Sequence, residues 1–278
     1  MSQTIDAVSA ASRPPARIVR RQSVQAHRDR SRLAQQVLRM ISPFLLLAIW
    51  QFAAQVGLLD RRFFPPPSEI VFSGWDMLVS GQLLDAVGYS LRRLVLGYGL
   101  GAFAGAVVGL LLGLSSWLRS LLEPWLLLTY PVPKLAIYPL LVLLVGLGDL
   151  PIVILLAIAV FYIVAINACA GVQSIKPVIL DVGRDCNATF IQSAWTIALP
   201  ASLPHIMTSL EISLGIAYIV LVAAEFVGAD RGLGSIIWSS WQLFDVAPMY
   251  VAITTVSVIG YLSVLGLRAA GRRLMPWR

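Results

Sequence analysis

The sequence predicts an all-α, polytopic membrane protein with six transmembrane helices. Three observations carry that expectation. Hydrophobic residues make up 58% of the 278 and charged residues 13%, with a mean hydropathy of +0.80. Soluble domains carry about 25% charge, and roughly half of that cannot cover a water-facing surface of this size. The few charges are also segregated, leaving charge-free windows at 40–59, 94–118, 150–175, 186–210 and 246–267; because charges are costly in a bilayer, such windows locate spans. Lys and Arg, finally, are unequally shared between alternate loops. This composition excludes both a soluble globular enzyme and a disordered chain.

Taken in order, residues 1–39 hold Arg13, Arg17, Arg20, Arg21, Arg28, Arg30, Arg32 and Arg39 with Pro14, Pro15 and several Ser and Gln. This reads as a disordered, basic cytoplasmic arm, solvated near anionic lipid rather than bound to nucleic acid. The first span, 40–59, is too long and too late for a signal peptide and stays uncleaved. The stretch Phe63-Phe64-Pro65-Pro66-Pro67 then stiffens an outside loop. Ser68 follows as a helix N-cap and Glu69 suits the first turn. Ile70, Val71, Trp75, Met77 and Leu78 would let that helix lie in the interface. Arg92 and Arg93 fall at the outer mouth of the second span, against the charge bias.

The second span, 94–118, carries Gly97, Gly101, Gly105, Gly109 and Gly113, one every four residues. On a helix they form one side without side chains, the surface by which helices approach closely in lipid. It serves either tight packing within the chain or a sliding surface in a moving transporter. The third span, about 120–147, is interrupted by Tyr130-Pro131-Val132-Pro133-Lys134 and Pro139. Prolines two apart break the helical ladder. Lys134 either snorkels to the cytoplasmic surface or lines a pathway for an anion. The fourth span is 150–175. The fifth, about 205–227, carries Glu211 and Glu225; Glu225 either holds the outside loop Gly228–Gly234 or lines the pathway. The sixth is 246–267.

With the N-terminus inside, the inside segments collect fifteen Lys and Arg: the eight of the arm, Arg119, Lys176, Arg184, Arg268, Arg272, Arg273 and Arg278. The outside loops hold Arg61, Arg62, Arg92, Arg93 and Arg231. This bias places both termini in the cytoplasm, as an even number of spans requires. The net charge of +7 is thus an orientation signal. Cys169 and Cys186 fall on the cytoplasmic side as reduced thiols, and without matching His they make no metal site.

The window 186–210 is the one charge-free stretch that is not a span. It carries Asn187, Thr189, Gln192, Ser193, Thr196, Ser202 and His205 with Pro200 and Pro204. It reads as a short helix, a turn, another short helix and a proline-bounded stop, built to dock on another protein. Here the chain resembles the membrane subunit of binding-protein-dependent ABC importers. Those permeases carry a cytoplasmic loop of the form E-A-A, three residues, G, nine residues, I-x-L-P. Asp181 stands at the Glu position, Val182 and Gly183 at the two Ala positions, and Asn187 at the Gly position; Ile197-Ala198-Leu199-Pro200 ends the motif at the expected spacing. Asp keeps the carboxylate, and Asn tolerates the left-handed conformation the Gly would supply. The resemblance runs from about residue 40 to the C-terminus. Pro131–Pro139, Val172-Gln173-Ser174, Leu221–Gly228, Gly232-Leu233-Gly234 and Arg272-Arg273-Leu274 are most similar to the nitrate, sulfonate and taurine branch.

The resemblance implies a type I ABC importer permease-like fold in a bacterial inner membrane, with 40–278 as the permease domain and the coupling loop at about 171–204. It implies an ATPase on a separate chain, a solute-binding protein outside, and a loop, with Asp181, Gly183, Asp185, Asn187, Ala188, Thr189, Leu199 and Pro200, that packs in a groove of the ATPase. The solute would be a small anion such as an aliphatic sulfonate, taurine or nitrate. The residues themselves add that no GxxxxGK[ST] phosphate loop occurs. His27 and His205 are the only histidines, so no catalytic set or cofactor site is expected. Six helices are few to enclose a path, which points to a homodimer in membrane lipid. The competing reading is a secondary transporter or channel without a dedicated ATPase, which predicts paired intramembrane charges and an inverted repeat.

Overall fold

A computed structural model describes residues 41–276, and every regular element among them is helical. The basic arm 1–39 and Arg278 lie outside the described residues. The chain divides into two units, Met1–Ser68 and Glu69–Arg278.

In the first unit, α1 spans Ile41–Gln55. It ends at Gly57, whose φ of +83° is the left-handed turn that closes many helices. The Arg61 Nε caps this end by donating to the Ala54 carbonyl at 3.2 Å. Gln51 exchanges two 3.0 Å bonds with the amide and hydroxyl of Ser68. The next helix, α2, runs Pro67–Val79. Ser68 is therefore not its N-cap: Pro67 opens the helix, where a missing N–H costs nothing, and the serine is taken by Gln51.

In the second unit, α3 (Gln82–Leu114), α6 (Asp149–Gln173), α9 (Leu199–Gly228) and α11 (Val246–Leu274) are the long apolar helices. Between them lie α4 (Ser116–Thr129), the 3-10 turn Lys134–Ile137, α5 (Tyr138–Val145), α7 (Pro177–Asp185), α8 (Phe190–Ser193) and α10 (Leu233–Gln242). Apolar on every side, α6 is the most buried of the long helices, with α3, α5 and α9 packed around it. A second cluster joins the end of α2 and the start of α3 to α10 and α11 through Met77, Ala86, Ile236, Ile237 and Val251. Outward faces carry Val95, Phe103, Ile219 and Leu262, as lipid contact requires.

Four helical stretches among the described residues are long and apolar enough to cross a membrane: Gln82–Leu114, Asp149–Gln173, Phe190–Gly228 and Val246–Leu274. The third expected span is a pair, α4 and α5, bent by 89°. The first corresponds to α1, whose described residues are fewer than the ~20 a bilayer needs. The count is compatible with six, but two of the six differ from the simple rods expected. The second span also begins earlier than the charges suggested, because Arg92 and Arg93 lie inside α3 rather than beyond it. The fifth differs most. Pro200 and Pro204 do not stop it; α8 runs on through a π turn, Ala194–Ala198, into α9. The wider turn lets the Leu199 amide reach the Ala194 carbonyl and makes room for Pro200, which has no N–H to give.

Candidate functional site

The loop between α6 and α9 is assembled by local chemistry. The last turn of α7 ends with Asn187 at φ 52°, in the left-handed region, and the Ala188 amide bonds back to the Gly183 carbonyl at 3.0 Å. This six-to-one bond is the Schellman closure, which Asn permits in place of Gly. Two residues on, Thr189 caps α8: its hydroxyl accepts from the Gln192 amide at 3.3 Å, while its own amide donates to the Gln192 side chain at 2.8 Å. Gly183 is buried, and a Cβ there would meet Ile197 at 2.8 Å. Asp181, Asp185, Asn187 and Thr189 are exposed; Ala188, Leu199 and Pro200 are half-buried. Ala198, fully buried against Val172 and Ile175, anchors the loop. Around this turn Val178, Val182, Phe190, Ile191 and Trp195 present an exposed apolar face.

At the break between α4 and α5, the Lys134 ammonium donates to the carbonyls of Thr129, Tyr130 and Val132 at 3.2, 2.5 and 2.9 Å. Of these, the Thr129 carbonyl is the one that Pro133 cannot serve, and it also takes the Val132 amide at 3.3 Å. The same ammonium lies 4.4 Å from the Tyr162 ring centre, and the Tyr162 hydroxyl bonds Thr129 at 2.9 Å. Tyr162 is about midway along α6, so this cation sits level with the middle of that helix, at the break between α4 and α5.

Glu225 is fully buried near the end of α9. Its carboxylate accepts from the Ser90 hydroxyl at 2.8 Å, Arg93 Nη1 at 2.7 Å and the Gly234 amide at 2.8 Å. Arg93, also buried, reaches Asp149 through Nε at 2.7 Å and Nη2 at 2.6 Å, and the Arg231 carbonyl through Nη1 at 2.6 Å. One arginine thus ties α3, α6, α9 and the segment before α10 together. The sequence reading connected Glu225 with the loop before Gly234 but missed Arg93, Ser90 and Asp149. The signal for Arg93 was its position against the charge bias.

The five glycines of α3 lie on α6. A Cβ at Gly97 would stand 2.6 Å from Leu156 Cβ, at Gly105 2.7 Å from the Phe161 carbonyl, and at Gly109 2.6 Å from Ala168 Cβ; Gly101 and Gly113 are as tightly met, by the Ala157 carbonyl and Val172. The backbones are in direct contact, and any side chain would separate them.

Comparison with known proteins bears on the whole arrangement. Residues 97–276 match the family described as binding-protein-dependent transport system inner membrane component. The taurine transport system permease protein TauC of Escherichia coli (strain K12) is 35% identical over 251 residues, covering 88% of this chain and 91% of that one. SsuC of Bacillus subtilis (strain 168), named for aliphatic sulfonates transport, is 31% identical over 239 residues, covering 86% and 87%. The fold is similar to a chain of the inward-facing MetNI methionine ABC transporter, with a TM-score of 0.58 at 19% identity over 71% of this chain and 96% of that one.

Proposed function

The chain belongs to the family of binding-protein-dependent transport system inner membrane components, and from that premise we propose that two copies of it form the passage of an ATP-driven importer for a small anionic solute. An aliphatic sulfonate, taurine or nitrate would be handed over outside by a binding protein. ATP would be hydrolysed on separate cytoplasmic chains, which engage the α7–α8 loop. Both termini would then be cytoplasmic, and the end of the bundle holding Glu225 would face outward.

The observation that carries this reading is the α7–α8 turn. An apolar face of Val178, Val182, Phe190, Ile191 and Trp195 is exposed beside a turn fixed by Asn187 and Thr189. Apolar area of this kind at a water-facing loop is stabilised by a partner surface. Because the loop's second helix continues into α9, a partner with two states that contacts the loop differently in each would bias the bundle. Lys134 suits a path for an anion by charge and depth, though its three donors already hold carbonyls, so a solute would meet its field rather than displace its bonds.

The test is Ala188→Arg, which puts a bulky charge at the turn. The variant should insert normally, lose co-purification with the ATPase and lose ATP-dependent uptake in proteoliposomes. Uptake at the parent rate would refute the docking role.

A further inference from the structure

A cavity of about 530 Å³ opens where α3 and α6 begin and α9 ends, opposite the α7–α8 turn. Its volume is that of a small-molecule site. Tyr89, Asp149, Asp230, Arg231 and Trp238 line it, with Arg93 at its base.

The charges of this wall are not equally available. Arg93 is consumed: its donors are on Asp149, Glu225 and the Arg231 carbonyl. Arg231 is exposed; its guanidinium gives one bond of 2.8 Å to the Tyr89 hydroxyl and lies 5.4 Å from that ring's centre. Its remaining N–H groups have no protein acceptor among the described residues. Arg93 engages only Oδ1 of Asp149, whose side chain is 39% exposed, and the exposed Asp230 has no donor among the described residues. The cavity therefore offers one uncommitted cation and two uncommitted carboxylate edges. A bare monoanion would gain Arg231 but face both carboxylates. A bare cation would meet the opposite conflict. A short molecule bearing both charges satisfies both walls.

We propose that this cavity binds a small zwitterionic acid, with its sulfonate or carboxylate on Arg231, its ammonium on Asp149 and Asp230, and its apolar stem between Tyr89 and Trp238. The inference rests on the importer reading and narrows its solute from an anion to a zwitterion.

The test is equilibrium binding of radiolabelled taurine to the permease–ATPase complex in nanodiscs, without binding protein. Binding should be saturable. Ethanesulfonate, which lacks the ammonium, and ethylamine, which lacks the acid, should each compete at least tenfold more weakly than taurine. Arg231→Gln and Asp230→Asn should each weaken binding at least tenfold. Both leave the Arg93 network in place, since Arg93 holds only the Arg231 backbone, and an unchanged melting temperature verifies it. Absence of saturable binding, equal competition by ethanesulfonate, or parent-like binding by both variants would overturn the site. Uptake by the complete system separates the two readings. ATP-driven uptake of nitrate but not taurine would overturn the zwitterion site and leave the importer standing, whereas taurine binding without ATP-driven uptake of any solute would support the site and refute the importer.

Discussion

Glu225→Ala removes the acceptor at which α3, α9 and the first turn of α10 converge. The carboxylate takes bonds from Ser90, Arg93 and the Gly234 amide, and it is fully buried. Breaking a buried ion pair costs about 3–5 kcal/mol. The lower figure applies here, because Arg93 keeps Asp149 and the Arg231 carbonyl. The Gly234 amide, left without an acceptor, adds about 1–2 kcal/mol. The expected loss is about 4–5 kcal/mol, or roughly 10–15 °C in melting temperature for a unit of this size. Glu225→Gln keeps an oxygen for Gly234 but turns an amide N–H₂ toward Arg93, so it should lose about half as much. The two cysteines provide the assay. Cys169 is buried and Cys186 exposed, so in a Cys186→Ser background a thiol-reactive dye reports unfolding through Cys169 alone. If Glu225→Ala melts within about 2 °C of the parent, the carboxylate is not an organising group of the bundle.

Gly105→Ala should cost about 1–3 kcal/mol in the same dye assay, since its Cβ would stand 2.7 Å from the Phe161 carbonyl. Gly99→Ala, with nothing within 4 Å, should be neutral or slightly stabilising; equal effects would contradict direct backbone contact between α3 and α6. Asn187→Val places a β-branched residue at φ 52° and should cost the loop about 1–2 kcal/mol, while Asn187→Gly should be tolerated. Limited proteolysis of the loop would show the difference, and equal cleavage rates would refute the left-handed turn. Lys134→Met should remove the ammonium from the Thr129, Tyr130 and Val132 carbonyls, of which Thr129 keeps the Val132 amide, and lower the melting temperature, with partial recovery in Lys134→Arg; no change would show that the ammonium does not hold the break.

The parts of this fold that sequence revealed are those governed by local rules. Charge-free windows located α6 to within two residues, because a helix apolar on every side has no ambiguity of face. The glycine period identified a contact surface because only one geometry uses it, although the partner, α6, could not be read from α3. Asn187 was legible as a left-handed position because turn chemistry is local, whereas the Thr189 capping box, just as local, was missed. The misreadings were long-range. Arg93 looked like a loop charge because its partners lie 56 and 132 positions away. Pro200 and Pro204 looked like a stop because a π turn has no sequence signature, and only the continuous hydrogen bonding from Thr189 into α9 reveals it.

The run Phe190–Gly228 is one helix of 39 residues, about 58 Å at 1.5 Å per residue. A rod of that length behaves as a lever. Its helical backbone runs on through the π turn and Pro204, so a tilt imposed on Phe190 and pivoted at the centre is passed on, reversed in direction, toward Glu225. Pivoted at its centre, a rotation of about 6° moves each end by roughly 3 Å, the length of one hydrogen bond. The buried clamp at one tip and the exposed apolar face at the other are thus mechanically a single part, and whatever grips one end turns the other.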